Sequence, residues 1–172
     1  WKHMYPQIAR AQMDRFTYPD PVLSDKLNFN VLQEVQFLYK LAGEGKFKLG
    51  LVNKKVAYHD PCDLGRSSGI YDEPRELIKL IPGVEFIELQ HIREDSKCCG
   101  GGGNLEAASP ELSAGIAKIR AQEIIDSGAD IVISSCQQCV RTLAGALKKE
   151  KSKIKAMDIS ELLLESIEGT AE

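Results

Sequence analysis

From about residue 50 onward, short runs with β character alternate with helical patterns, and this alternation constrains the fold more than any other feature. The predicted strands are residues 55–59, 84–89, 130–134 and 153–157. The helical patterns between and after them run from Pro74 to Pro82, from Ser109 to Gly128, from Gln138 to Lys149 and from Ser160 to Ser166. Such alternation favours parallel strands joined by right-handed crossovers. The sequence therefore predicts an α/β fold, with a mainly parallel Rossmann-like sheet flanked by helices.

Two helical segments carry apolar faces that can be read directly. The helix that begins at Ser109-Pro110 has Leu112, Ile116 and Ile119 on one face. Within the first 49 residues, Asn30 to Ala42 has apolar residues at helical spacing, whereas residues 14–29 read as irregular chain. We therefore predict three parts: residues 1–49 as an N-terminal helical extension or a linker from an upstream domain, residues 50–168 as the α/β domain, and residues 169–172 as a tail.

Five cysteines follow the first three predicted strands. Cys62 comes just after the first strand, Cys98-Cys99 lie in the loop after the second, and Cys136 and Cys139 follow the third at the start of a helix. Because the carboxyl ends of parallel strands emerge at the same edge of a sheet, all five thiols are expected to converge there. This edge is the predicted functional site.

Composition and charge limit the cellular compartments and the classes of partner that can be expected. The number of cysteines is odd, which fits metal chemistry in a reducing, cytoplasmic setting better than a secreted disulfide framework. A formal net charge of −3 provides no footprint for nucleic acid. The sequence contains no apolar run long enough to span a bilayer, so direct membrane insertion is not expected.

The spacing of the cysteines favours a polynuclear metal centre. Cys136-x-x-Cys139 at a helix N-terminus suits thiolates, although the same pattern also serves redox pairs and zinc sites. Cys98 and Cys99 are adjacent, so both can face one site only if the backbone turns sharply, and the glycines at 100–103 permit that turn. A single tetrahedral zinc would leave one of five thiolates over, whereas iron–sulfur clusters prefer thiolate ligands.

Two further features lie near the cysteines: the glycines at 100–103 and the polar residues that flank Cys62. The glycines at 100–103 match neither G-x-G-x-x-G nor a phosphate loop, which argues against a nucleotide site. The polar residues that flank Cys62 are candidates for hydrogen bonding around a cluster or substrate, or for purely local roles: His59, Asp60, Asp63 and Arg66.

The whole pattern resembles the cysteine-rich CCG domain of the heterodisulfide reductase family, found in its B and D subunits and in iron–sulfur subunits of glycolate, lactate and glycerol-3-phosphate oxidases. The resemblance covers roughly residues 45–168. It rests on the five cysteines and on the segments His59-Asp60-Pro61-Cys62, Leu64-Gly65-Arg66, Tyr71-Asp72-Glu73-Pro74-Arg75, Cys98-Cys99-Gly100 and Asp158-Ile159-Ser160-Glu161-Leu162-Leu163.

The resemblance implies a ligand set and a reaction. Cys62, Cys98, Cys99, Cys136 and Cys139 would hold an iron–sulfur centre, which in heterodisulfide reductases is a non-cubane 4Fe–4S cluster that cleaves a substrate disulfide. Asp63 stands where many relatives carry histidine. Residues 1–6 resemble the segment between two tandem copies of the domain, which predicts a C-terminal piece or a single-domain paralogue.

The expected function is that of a redox module in a heterodisulfide reductase-like complex. Its expected partners are other redox subunits, or upstream ferredoxin-like or CCG domains, with a disulfide as a possible substrate. Its expected place is the cytoplasm or the cytoplasmic face of a membrane-bound complex. One alternative is a zinc-stabilised domain that docks other proteins of a complex without redox activity. Another is metal-free dithiol exchange at Cys136 and Cys139, which would leave three cysteines without a role.

Overall fold

The computed structural model describes residues 32–169. Four parallel strands form one sheet in the order β2-β1-β3-β4. The strands are β1 (Lys54–Tyr58), β2 (Val84–Ile87), β3 (Ile131–Ser134) and β4 (Lys155–Asp158). Each overlaps its predicted run, with ends that differ by at most two residues. The predicted α/β fold with a parallel sheet is therefore confirmed.

Six α-helices accompany the sheet within the described residues. They are α1 (Glu34–Gly43), α2 (Asp72–Lys79), α3 (Leu105–Ala108), α4 (Pro110–Asp126), α5 (Gln137–Lys149) and α6 (Ile159–Glu168). A five-residue π-helical turn (Asp63–Ser67) follows β1, and a short 3₁₀ turn (Arg93–Asp95) follows β2. None of the described helices is both long and apolar enough to cross a membrane.

Side chains alternate across the sheet and build a core on each face. Val56 and Tyr58 of β1 point into one core, which also contains Leu77 of α2 and Leu162 of α6. Ala57, between them in sequence, points into the other core. That second core is built with α4 and α5, so the sheet is covered by helices on both faces.

The N-terminal helix is present but shorter than predicted. The structure places α1 at Glu34–Gly43, where Val35 is 1% exposed and joins the core that contains Val56. The predicted first turn, at Asn30, and the irregular segment 14–29 lie outside the described residues. The division of the chain at residue 49 stays a prediction.

Helix α4 buries a different face from the one that the apolar residues suggest. Leu112 and Ile119 are 55% and 58% exposed. Apart from Ile124, the residues that this helix buries are small or polar, among them Ser113, Ala117 and Arg120. Small side chains let the helix approach the sheet and α5 closely, and the buried arginine reaches the carboxyl edge of the sheet. This helix therefore contributes to the site.

Candidate metal centre

The five cysteines follow the carboxyl ends of β1, β2 and β3. Cys62 comes after β1 and Cys98-Cys99 after β2, whereas Cys136 is the N-cap of α5 and Cys139 lies in the first turn of that helix. The Cys62 thiol interacts electrostatically with Cys98 and Cys99, and Cys136 interacts with Cys99 and Cys139. The predicted convergence on one edge of the sheet is therefore seen in the structure. Whether all five act as ligands stays a prediction.

The sulfurs differ in their access to solvent. Cys99 and Cys139 are buried, each 4% exposed, whereas Cys62 and Cys98 are exposed and Cys136 is intermediate. The donor atoms of His59, Cys99 and Cys139 all lie within 4.8 Å of one another. The site thus has a closed floor around Cys99 and Cys139 and an open side at Cys62 and Cys98.

The Cys98-Cys99 segment turns where the glycines begin. Gly100 has φ +84°, and its N–H donates to Cys98 Sγ at 3.3 Å, while the Gly101 N–H donates to Cys99 Sγ at 3.4 Å. The Ser113 hydroxyl of α4 donates to the Gly100 carbonyl at 2.7 Å and holds the turn against that helix. Each adjacent sulfur therefore receives its own backbone N–H, an arrangement that favours thiolates.

Cys136 lies at the N-cap position of α5. Its contact with the Cys139 side chain and the N–H groups of Gln138 and Cys139 lower the pKa of Cys136 to about 6. The neighbouring Cys136 and Cys99 sulfurs, together with burial, raise the pKa of Cys139 above its usual range. Contacts with Cys139, His59 and the Gly101 N–H lower the pKa of Cys99.

The pKa values of Cys99, Cys136 and Cys139 are shifted in opposite directions because the three sulfurs lie close together. Without a cation, a proton is retained on Cys139 while thiolates are favoured at Cys99 and Cys136. A bound metal would replace that proton, since metal ligands must be deprotonated. The donor set therefore suits a thiolate-ligated metal centre.

Residues 56–144 match the family profile of the cysteine-rich domain designated CCG. The chain belongs to the CCG cysteine-rich domain family. The matched segment begins in β1, ends within α5, and includes all five cysteines.

Curated relatives carry related domains in longer proteins. The D subunit of the dihydromethanophenazine:CoB–CoM heterodisulfide reductase of Methanosarcina mazei is 37% identical over 147 residues, 85% of this chain and 36% of that protein. An uncharacterised iron–sulfur protein of Methanocaldococcus jannaschii is 37% identical over 122 residues, 69% of this chain and 24% of that protein. Lactate utilization protein A of Oceanobacillus iheyensis is 30% identical over 166 residues, 96% of this chain and 64% of that protein. The chain spans about a third of the length of the first of these relatives.

In this CCG domain, His59 lies beside the buried sulfurs of Cys99 and Cys139. It is 1% exposed, and its Nδ1 accepts a hydrogen bond from Arg120 Nε at 3.0 Å. Its side chain also shares a hydrogen bond with Cys99. Burial, together with the charge of Arg120, keeps the pKa of His59 below its usual range, so the ring is neutral at pH 7.

Asp60 anchors the next part of the CCG domain. Its carboxylate accepts hydrogen bonds from both terminal nitrogens of Arg75, at 2.7 and 2.8 Å, and from the Arg93 N–H at 3.0 Å. Burial alone would raise the pKa of Asp60, but the hydrogen bonds from Arg75 and Arg93 lower it overall. Arg75 also pairs with Glu88, so one guanidinium joins the segments after β1 and β2.

Arg66 and Asp63, the other two polar residues predicted to flank Cys62, both make hydrogen bonds that involve the backbone. Arg66 donates to the carbonyls of Glu94 and Ser96, at 3.2 and 3.1 Å, and ties the first cysteine loop to the second. Asp63 has an exposed side chain, and its backbone N–H donates to Cys62.

Sequence reasoning did not assign roles to Arg75 and Arg120. Arg75 lies in one of the segments that resemble the family, and Arg120 follows Ser113 and Ala117 at helical spacing. An arginine on a face of small residues is the signal that could have found Arg120, but only once that face is known to be buried.

Proposed function

We propose that this domain is an iron–sulfur redox module whose cluster is held by Cys62, Cys98, Cys99, Cys136 and Cys139. The observation that carries the proposal is the convergence of thiols that follow three neighbouring strands, with backbone N–H groups donating to Cys98 and Cys99. When bound, the cluster would supply reversible one-electron chemistry.

The protein's own residues would hold and shield the cluster. Cys99 and Cys139 form the buried floor, where little water can reach the sulfurs. The N–H groups of Gly100 and Gly101 and the N-terminus of α5 offset the negative charge of several thiolates. Exposed Cys62 and Cys98 mark the side from which a partner could exchange electrons.

The finer form of the proposal concerns substrate and partners. One relative belongs by name to a heterodisulfide reductase, which supports a disulfide as the substrate. We propose that a non-cubane 4Fe–4S cluster reduces this disulfide to two thiols with two electrons and two protons. The electrons would come from other redox subunits, or from ferredoxin-like or CCG domains. We place the module in the cytoplasm or on the cytoplasmic face of a membrane-bound complex.

A zinc-stabilised docking domain is the second candidate. The observation that favours it is the buried trio of His59, Cys99 and Cys139, whose donor atoms lie within 4.8 Å of one another. A single tetrahedral ion there would leave Cys62 and Cys98 without a metal role.

Metal analysis of protein purified without oxygen separates the two candidates. Iron and acid-labile sulfide at about four each per chain are expected for the proposed cluster. Stoichiometric zinc without sulfide would overturn the redox function and support the docking domain.

A further inference from the structure

We propose that Arg120 prevents His59 from acting as a metal ligand and directs the N–H of the His59 ring towards the Cys99 sulfur. Arg120 and His59 would thereby set the reduction potential of the centre. The inference rests on the proposed function, because it concerns the cluster that the five cysteines would hold. It assigns a positioning role to Arg120 and a hydrogen-bonding role to His59.

The first step is the protonation of the imidazole. The Nε–H of Arg120 donates to Nδ1 of His59 at 3.0 Å. A guanidinium has only donors and does not lose its proton in proteins, so Nδ1 must be the acceptor. Nδ1 therefore carries no proton, and the N–H of the imidazole lies at Nε2.

The second step is the partner of that proton. The donor atoms of His59 and Cys99 lie within 4.8 Å of each other, which brings the free side of the imidazole next to the Cys99 sulfur. Because Nδ1 is occupied by Arg120, the group that donates to the Cys99 thiolate is Nε2–H. A metal bond from Nε2 would require loss of this proton and an anionic imidazolate, or a break in the bond to Arg120. His59 is therefore a donor to a ligand and not itself a ligand.

The third step is the rigidity of Arg120. Its side chain is fully buried, and its two terminal nitrogens donate to the His91 carbonyl at 3.0 Å and to Ser96 Oγ at 3.2 Å. Glu123, at 2.9 Å, balances its charge. With all three nitrogens engaged, the guanidinium cannot turn away from His59 without leaving buried donors unpaired.

The consequence is electrostatic. Reduction adds negative charge to a cluster and its thiolates, so a hydrogen bond to a ligating sulfur stabilises the reduced state more than the oxidised one. The His59 N–H should therefore raise the reduction potential. Its removal should make the centre harder to reduce.

The test is a redox titration of the cluster-loaded protein, followed by visible and paramagnetic spectroscopy, in the wild type and three variants. His59→Leu removes the donor and is expected to shift the reduction equilibrium about tenfold towards the oxidised form, which is 59 mV for one electron. His59→Gln can donate through its amide nitrogen and accept from Arg120 through its oxygen, so it should recover much of the shift.

His91→Gln is the matched control. His91 contacts Arg120 through its backbone carbonyl, which the substitution keeps. Its ring lies 3.3 Å from Glu123 Oε1, to which the glutamine amide can also donate, so the potential of this variant should equal that of the wild type. Equal potentials in the wild type and His59→Leu would overturn the inference. A low potential in His59→Gln equal to that of His59→Leu would also count against it, because the donor would then be irrelevant.

A measurement on the wild-type protein covers the case in which His59→Leu does not assemble a cluster. The chain has three histidines, so ¹⁵N-histidine labelling and pulsed electron paramagnetic resonance can detect imidazole nitrogen near the cluster. A weak coupling that persists in His91→Gln supports a hydrogen-bonded His59. The strong coupling of a directly bound nitrogen, or no coupling, overturns it. Wild-type protein without iron and sulfide would instead refute the proposed function, and this inference with it.

Discussion

Removal of the Arg75 guanidinium should strongly destabilise this domain. Its guanidinium is 2% exposed and makes two hydrogen bonds to Asp60, two to Glu88 and one to the Tyr71 carbonyl. Arg75→Met removes the charge but keeps much of the side-chain volume. The Asp60 carboxylate, also 2% exposed, would then lose both hydrogen bonds from Arg75 and retain the one from the Arg93 N–H. Leaving one partner of a buried pair uncompensated costs about 3–5 kcal/mol.

The pH dependence of this loss has a definite sign. In the wild type the pKa of Asp60 is lowered, so its contribution to stability is present above the unfolded-state pKa and is lost as pH falls through the folded pKa. In Arg75→Met, burial would dominate and raise the pKa of Asp60 above the unfolded value. Acidification would then protonate Asp60 and relieve the folded state. The destabilisation should therefore be smaller at pH 5 than at pH 7, by up to about 1.4 kcal/mol per pH unit within that window.

Urea unfolding followed by circular dichroism at pH 7 and pH 5 measures both effects. Lys79→Met is the matched control, because Lys79 lies on the same helix and its pair with Glu76 is about half exposed on both sides. That variant should lose less than about 1 kcal/mol at either pH. A loss for Arg75→Met no larger than the control, or one that grows at pH 5, would refute the reasoning.

Three further predictions concern the loops and a helix cap. Cys98→Ala and Cys99→Ala should each lose the cluster or convert it to a simpler form, and unchanged visible and paramagnetic spectra in both would contradict adjacent ligation. Gly100→Ala should lower the iron content and cost about 1–3 kcal/mol in urea unfolding, because φ at Gly100 is +84° and an added Cβ would press on the α4 backbone. An added Cβ at Gly102 meets nothing within 4 Å, so Gly102→Ala should match the wild type in iron content and in urea unfolding. Asp158→Ala should cost about 0.5–2 kcal/mol in urea unfolding by removing the N-cap of α6, with iron content unchanged because its side-chain partner, Ser160, lies in its own helix turn.

The strands were predictable because each is a short apolar run bounded by turn residues. β3, Ile131–Ser134, is buried throughout and was the most apolar run in the sequence. Its placement in the centre of the sheet beside β1 follows from that apolar character. The predicted convergence of cysteines depended only on strands being parallel, and it did not require their order.

The helix faces and the polar network were less accessible to sequence reasoning. Exposed Leu112 and Ile119 carry the apolar signal of α4, yet the face that packs is defined by small residues such as Ala117, whose hydropathy is weak. The hydropathy pattern of α4 therefore gives no indication that Arg120 is buried. A buried arginine is stabilised by partners that are distant in sequence, here His59 and Ser96, and no local pattern reports such partners.

The two buried arginines are related through two consecutive residues at the carboxyl end of β1. Adjacent residues of an extended strand point to opposite faces, so His59 and Asp60 turn towards different helix layers. His59 meets Arg120 of α4 on one side, and Asp60 meets Arg75 of α2 on the other.

The backbone at His59 is fixed by β3, since the His59 N–H donates to the Ile133 carbonyl and the Ser134 hydroxyl donates to the His59 carbonyl. A shift of β1 by one residue would exchange the two faces and leave both arginines facing the wrong partner. The register of β1 therefore determines the position of Cys62 and, through His59, the environment of Cys99.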